Sequence, residues 1–438
     1  MSVRIVVTGM GWVTPLGHDL EGVWGRMMRS ECGMAPITRF DARTFPTTFA
    51  AEVRDYDVNA FVKHPQAHAT AGLNSKYALG AARQAWAQAG LDERPAPSLR
   101  RVGMYLGAGE GVIDTANYFA ANVAGWDAAS SRVGGAWFDA AKRMLDRARE
   151  VEQEPNMPLA HLAREFGIRG PSYNCLTACA ASTQAIGEAC SILRRGDADA
   201  MLAGGTHTMI HPLGITGFNR LTALSTFKGD PTKASRPFDI GRDGFVMGEG
   251  SGMVVLETLE HAQARGATPI AELIGYGSSA DAFRITDIQP DGRGAAAAMT
   301  QALAQAGIDP HARLDDGRPP IQYISAHGTG TKENDSIETI GVKRVFGELA
   351  PSIPMSSIKS MMGHLIAAAG AVEFITCVQA IRHGMLPPTI NYANPDPELD
   401  LDYVPNVARP AKVDTCLSNS FGFGGQNDTV IVTRWRGT

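Results

Sequence analysis

Short apolar runs alternate along this chain with longer stretches whose apolar positions recur at helical spacing. Arg4 to Val7 reads as a buried strand entering the turn Gly9-Met10-Gly11, and Val102 to Leu106 as a strand entering the glycine loop from Gly107 to Gly111. Asp199 to Ala203, Met253 to Glu257, Ile270 to Tyr276, Ile321 to Ser325 and Thr429 to Thr433 carry the same signal. Between them lie helical patterns over Ala71 to Ala89, Cys179 to Leu193, Gly294 to Ala306, Asp335 to Phe346 and His364 to Ile381. From Thr115 to Arg164 the apolar runs fade into a polar, mixed stretch with a charged run from Arg143 to Glu154. That stretch predicts helices laid on the surface, with a loop at Glu154-Pro155. Strand and helix alternating throughout predict an α/β fold with helix-covered sheets. The series repeats on either side of about Glu260, which suggests pseudo-duplicated halves, 1–260 and 261–438, the first with a helical insertion at 115–164. No low-complexity linker parts them, so one compact unit is expected.

Composition narrows the function. A net charge of −5 gives no general attraction to nucleic acid or anionic lipid. Six cysteines in 438 residues are too few for a disulfide scaffold, and Cys175, Cys179 and Cys190 form no CxxC pair, so no metal site is expected. The first residues lack a basic segment followed by an apolar one, and no apolar run approaches the roughly 18 residues of a membrane span. A reduced, cytoplasmic protein is the expectation. The first glycine turn is not a dinucleotide fingerprint, because its third glycine comes late, at Gly17, after the helix-breaking Pro15.

Four stretches carry candidate chemistry. In YNCLTACAASTQAIGEACSIL, small residues surround Cys179 at the start of a helix whose Ile186, Cys190 and Leu193 share a face. A helix N-terminus favours thiolate and leaves amide donors free for an oxyanion. The bland alternative is an inert buried thiol. His327 stands in ISAHGTGTKENDSIET and His364 in SSIKSMMGHLIAAAG, each at a strand-to-helix junction among small residues, with Lys359 five positions before His364. A helix N-terminus keeps a histidine neutral, so that its Nε2–H is able to donate to a thioester carbonyl. SNSFGFGGQN, with three glycines around or after Phe421 and Phe423, predicts a mobile loop carrying aromatic plugs.

TACAAS, AHGTGT, KSMMGH and FGFGGQN, in this order and at these separations, resemble the elongating β-ketoacyl-[acyl-carrier-protein] synthases, the type I/II condensing enzymes. The likeness runs from VVTGMGWVTPLG through RPFDIGRDGFVMGEGSGMVVLE to the last strand; only about Thr115 to Arg164 matches no family motif. The resemblance implies a thiolase-like, five-layered α-β-α-β-α fold and a decarboxylative Claisen condensation. Cys179 matches the acyl-accepting nucleophile; His327 and His364 match the pair that bind the malonyl thioester carbonyl and promote loss of CO₂. Lys359 matches the lysine holding the second histidine's surroundings, with Glu338, Asp335 and Asp281 as network acids, Asp281 on a mobile loop. The amides of Cys179 and Phe423 match the oxyanion hole, Gly422, Phe423, Gly424 and Gly425 the gatekeeper loop, and Thr329 and Thr331 the hydroxyls on the pantetheine arm. Glu110 and Phe421 fall at acyl-pocket positions. The protein itself would hold no cofactor, phosphopantetheine arriving on the acyl carrier protein, and would be a homodimer.

Three departures stand against that pattern. Glu110 replaces an apolar pocket residue and either lines the pocket or lies solvated. The carrier-facing surface offers only Lys63, His64, His68 and Lys76, with Arg220 and Lys228 adding to it. Arg284 stands where the family often has histidine. They point from housekeeping fatty-acid synthesis toward a specialised, polyketide-like pathway. A biosynthetic thiolase would want a cysteine in the FGFGGQN loop, and an acyl-CoA-using initiating enzyme a Cys-His-Asn set. The remaining alternative is a catalytically silent heterodimer partner that shapes chain length, which would usually lack Cys179.

Overall fold

A computed structural model describes residues 3–92, 99–111, 113–285 and 288–437. Ten strands form the main sheet: β1 (Ile5–Val13), β2 (Val102–Ala108), β3 (Ser172–Cys175), β4 (Ala200–His207), β5 (Gly250–Thr258), β6 (Ala271–Ala280), β7 (Tyr323–Ser325), β8 (Met355–Ser356), β9 (Thr415–Phe421) and β10 (Gln426–Arg434). Their spatial order is β8-β7-β9-β10-β6-β1-β5-β4-β2-β3. The first five strands read 1-5-4-2-3 from the centre outward, and the last five read 6-10-9-7-8, the same order. Pairing repeats as well: two antiparallel ladders, then two parallel ones, in each half. The halves meet where Ile5 to Val7 of β1 pairs antiparallel with Ala271 to Leu273 of β6.

Helices repeat with the strands. α1 (Leu73–Gln88) packs on β1 and β5, while its counterpart α3 (Arg293–Ala306) packs on β6 and β10. Between the two half-sheets lie α2 (Ala181–Arg194), which follows β3, and α5 (Ala369–His383), which follows β8. α4 (Lys332–Phe346) connects β7 to β8. The result is the five-layered arrangement. α5 is apolar nearly all round, and each residue from Ala369 to Ile381 is buried, as a helix covered on every side must be. Where it crosses α2, Gly370 is required: a Cβ there would stand 1.9 Å from Thr183 Oγ1. Ser182 Oγ accepts the N–H of Ala371 at 2.9 Å, fixing the two helix starts side by side.

Two expected elements shift. The helix read from His364 begins at Ala369, because the main chain of His364 bonds elsewhere: its N–H to Val246 (2.8 Å) and its carbonyl from Gly248 (2.9 Å). The mobile loop read over Ser418 to Asn427 shrinks to 422–425, since both flanks are paired strand. The insertion holds helices Thr115–Ala124, Ala136–Met144, Arg147–Val151 and Met157–Phe166, with Val123, Trp126 and Phe138 exposed.

Candidate active site

The middle layer aims both of its helices at one point. Cys179 lies in the tight turn Ala178–Ala180 just before α2, and His364 just before the matching turn Ile366–Ala368 that opens α5; the two turns touch. His327 arrives from the end of β7. The donor atoms of Cys179, His327 and His364 lie within 4.8 Å of one another, and all three residues are buried. Ala178 and Ile366 take φ of 46° and 45°, sparsely populated for residues with side chains, so the backbone is bent at both turns to achieve this.

Hydrogen bonds set the tautomers. His364 Nδ1 accepts the N–H of Ile366 at 3.1 Å. His327 Nδ1 faces the Lys359 ammonium at 3.4 Å, and an ammonium only donates. In both rings the proton is therefore assigned to Nε2. Burial first, then the Lys359 charge, holds both imidazoles well below the usual histidine range, so both are neutral at pH 7. Cys, His and His are also metal donors, yet both Nδ1 lone pairs are occupied and ligation through Nε2 would demand imidazolate. The site suits hydrogen-bond donation better than a metal ion.

The thiol departs from expectation. Burial pushes Cys179 up to about 11, against the pull of Lys359 and of the amides of Phe423 and Cys179 itself. Desolvation outweighs the helix N-terminus, and the resting sulfur is a thiol. Those same two amides are the oxyanion donors read from the sequence, and both bear on Sγ.

The acids do not form one network. Lys359 pairs with Glu373 of α5, which sequence reading missed, and donates to the His327 carbonyl at 2.6 Å. Lys359 thus grips the first histidine's main chain while its charge bears on both imidazoles. Glu338 accepts the amides of His327 and Gly328 (2.9 and 2.8 Å) and the Asn419 amide (3.2 Å); burial raises it to about 7. Asp335 accepts from Phe238 and Gly330, supporting the next turn of the same loop. Asp281 is buried: it accepts from Asn427 (2.8 Å), while its own N–H donates to the Gly425 carbonyl (2.8 Å). The glycine signal of SNSFGFGGQN is satisfied at Gly424 and Gly425, whose φ of 91° and 80° a side chain would strain.

Two cavities meet at the sulfur. The larger, about 620 Å³, is lined by His327, His364, Thr329, Thr331, Phe421 and Phe423 among others. Thr329 and Thr331 are linked through their hydroxyls at 3.0 Å, and Thr331 also caps α4. The smaller, about 290 Å³, is lined by Glu110, His207, Met209, Phe218 and Ile366. Cys179, Leu221 and Phe423 border both, so the Phe423 ring stands at the partition. Phe421 lines the larger cavity, because β9 ends with its ring against His327. Glu110 lines the smaller chamber while remaining solvent-exposed.

The basic surface thins further. His68 is buried, its ring at 2.9 Å from His161 and 3.1 Å from Glu165, and so cannot face a partner. Lys63 pairs with Asp92, and Lys228 donates to the Pro46 carbonyl. Arg284 lies exposed over the Phe283 ring. Arg242, unremarked in the sequence, lines the larger cavity and pairs with Asp396 at 2.8 Å.

This site in this fold defines a thioester-handling condensing enzyme. Residues 2–262 match the family described as Beta-ketoacyl synthase, N-terminal domain, and residues 270–393 match Beta-ketoacyl synthase, C-terminal domain; the chain belongs to the β-ketoacyl synthase family. It is 42% identical, over 98% of each chain, to a 3-oxoacyl-[acyl-carrier-protein] synthase 2 of Coxiella burnetii. A β-ketoacyl synthase from Burkholderia phymatum is similar in structure, with TM-score 0.87 and 31% identity over 99% of this chain and all of that one. So is a type II PKS acyl-carrier protein in complex with its ketosynthase bound to the hexaketide, with TM-score 0.85 and 31% identity over the whole of both chains. The protein is an acyl-transferring β-ketoacyl synthase.

Proposed function

We propose that Cys179 takes an acyl primer from acyl carrier protein and that His327 and His364 drive its condensation with a malonyl carrier. Sγ attacks the acyl thioester carbonyl, the amides of Cys179 and Phe423 hold the oxyanion, and the thiol proton ends on the departing pantetheine sulfur. The second carrier then places its malonyl thioester carbonyl before the two Nε2–H groups. As CO₂ leaves, its bonding electrons form the enolate, whose oxygen those donors stabilise. The enolate carbon attacks the acyl-cysteine and the Cys179 thiolate leaves, to be protonated from solvent. Lys359, paired with Glu373, acts through His327 as a positioning residue.

The observation that carries this reading is the pair of occupied Nδ1 atoms, which leaves both Nε2 atoms to donate beside a buried thiol. It favours an active enzyme over a silent heterodimer partner. In this reading Thr329 and Thr331 hold the pantetheine arm, the turn 422–425 lets Phe423 swing between the cavities, and no resident cofactor is required. The enzyme acts in the cytoplasm as a homodimer. The second copy is supported by the outer strand β3, an edge with no further strand beside it among the described residues, where Tyr173 and then Leu176 are exposed. Intact-mass analysis after incubation with acyl carrier protein loaded with a saturated chain tests the reading. One acyl adduct on wild type and none on Cys179→Ala is expected; an adduct on both would overturn it.

A further inference from the structure

The smaller chamber is apolar except at two side chains, and one of them is anomalous. His207, the last residue of β4, is 1% exposed, and neither of its ring nitrogens has a protein partner among the described residues. Burial lowers it to about 4, so at neutral pH it presents one N–H and one lone pair. The ring is seated rather than adrift: a Cβ on Gly109 would lie 2.2 Å from its Nδ1, so only glycine leaves room for it. Glu110 follows directly and lines the same chamber. Its charge bears on His211, whose ring in turn bears on His207. Met209, Phe218, Leu221 and Ile366 make up much of the remaining wall.

A saturated chain on Cys179 would leave the His207 nitrogens unpartnered and set alkyl surface beside Glu110, whereas a hydroxyl supplies a hydrogen bond. A carboxylate only accepts, and a neutral imidazole both donates and accepts; an O–H group, donor and acceptor at once, suits both. Resting on the reading of Cys179 as the acyl carrier, we infer that this chamber selects acyl groups bearing a hydroxyl, with His207 the specificity-determining residue and Glu110 its second acceptor. The class of reaction supplying such a primer is one that leaves a chain oxygen unremoved, a ketone reduction without the following dehydration. Sites built to hydrogen-bond a hydroxyl discriminate strongly against analogues that lack it.

The test is a competition. Wild-type protein receives equimolar octanoyl-, 3-hydroxyoctanoyl- and 5-hydroxyoctanoyl-pantetheine, and intact mass follows acylation of Cys179. The expectation is that one hydroxylated probe loads faster than octanoyl by about tenfold, equivalent to 1.4 kcal/mol. His207→Leu should bring that ratio to about one, and Glu110→Gln should reduce it. Equal loading of all three by wild type, or an undiminished ratio in His207→Leu, overturns the inference while leaving Cys179 as acyl carrier intact. Failure of every probe to load would instead defeat the reading beneath it. Should His207→Leu not fold, the wild-type ratio and Glu110→Gln decide the matter.

Discussion

Ile366 donates its backbone N–H to Nδ1 of His364 at 3.1 Å, from a φ of 45° that a β-branched residue rarely takes. Such a conformation costs on the order of 1–3 kcal/mol and persists because the start of α5 is buried on all sides. What it secures is a fixed proton on Nε2, the atom that faces substrate.

The buried thiol sets the pH response of labelling. With Cys179 near 11, alkylation by iodoacetamide should keep rising from about pH 7 to about pH 10 without a plateau. Peptide mass spectrometry reads the rate. A plateau near pH 7 would mean that the helix N-terminus outweighs burial after all.

Glu373 makes Lys359 tolerable in the core. Glu373→Gln should destabilise the protein by about 3–5 kcal/mol, the usual penalty for orphaning a buried charge. Replacing Lys359 by Met and Glu373 by Leu together should restore most of that stability in chemical denaturation. Condensation should stay depressed in the pair, because His327 has lost its clamp.

His207 makes the fold acid-sensitive. Its pKa falls from about 6.5 to about 4 on folding, so below pH 6.5 the unfolded chain binds the extra proton. Its contribution is present above that value and lost as pH falls toward 4. At pH 5 the loss is about 2 kcal/mol. Denaturation of wild type and His207→Leu at pH 8 and pH 5 should show the variant losing less stability by that amount; parallel losses would contradict it.

Glu110 shapes the product. Glu110→Leu should shift the accepted chains toward longer saturated ones, since a carboxylate is costly against alkyl surface. Chromatography of products from a mixed acyl pool reads the profile, and an unchanged profile would remove Glu110 from the chamber's function.

Much of this was legible in the chain itself. Strand-helix alternation and small residues around Cys179, His327 and His364 mark local geometry, and local geometry is what spacing encodes. The half-and-half duplication appears in strand order, 1-5-4-2-3 twice, without help from sequence identity. Partners between distant segments were not legible. Glu373 sits in a helix that reads as plain core, and only packing brings it to Lys359. Asp281 and Glu338 both read as network acids through the resemblance, yet one braces the turn 422–425 and the other the His327 loop. Cys179 shows a competition that spacing cannot weigh, a helix N-terminus lowering its pKa and burial raising it further. His207 gave no signal beyond following a glycine pair.

The most direct test follows CO₂ released from malonyl-acyl carrier protein with no primer present. Cys179→Ala should still release it, because the two Nε2–H donors remain, whereas His364→Ala should fall by about 10²–10³-fold, the scale of losing one such donor. Wild-type release from His364→Ala would contradict the account.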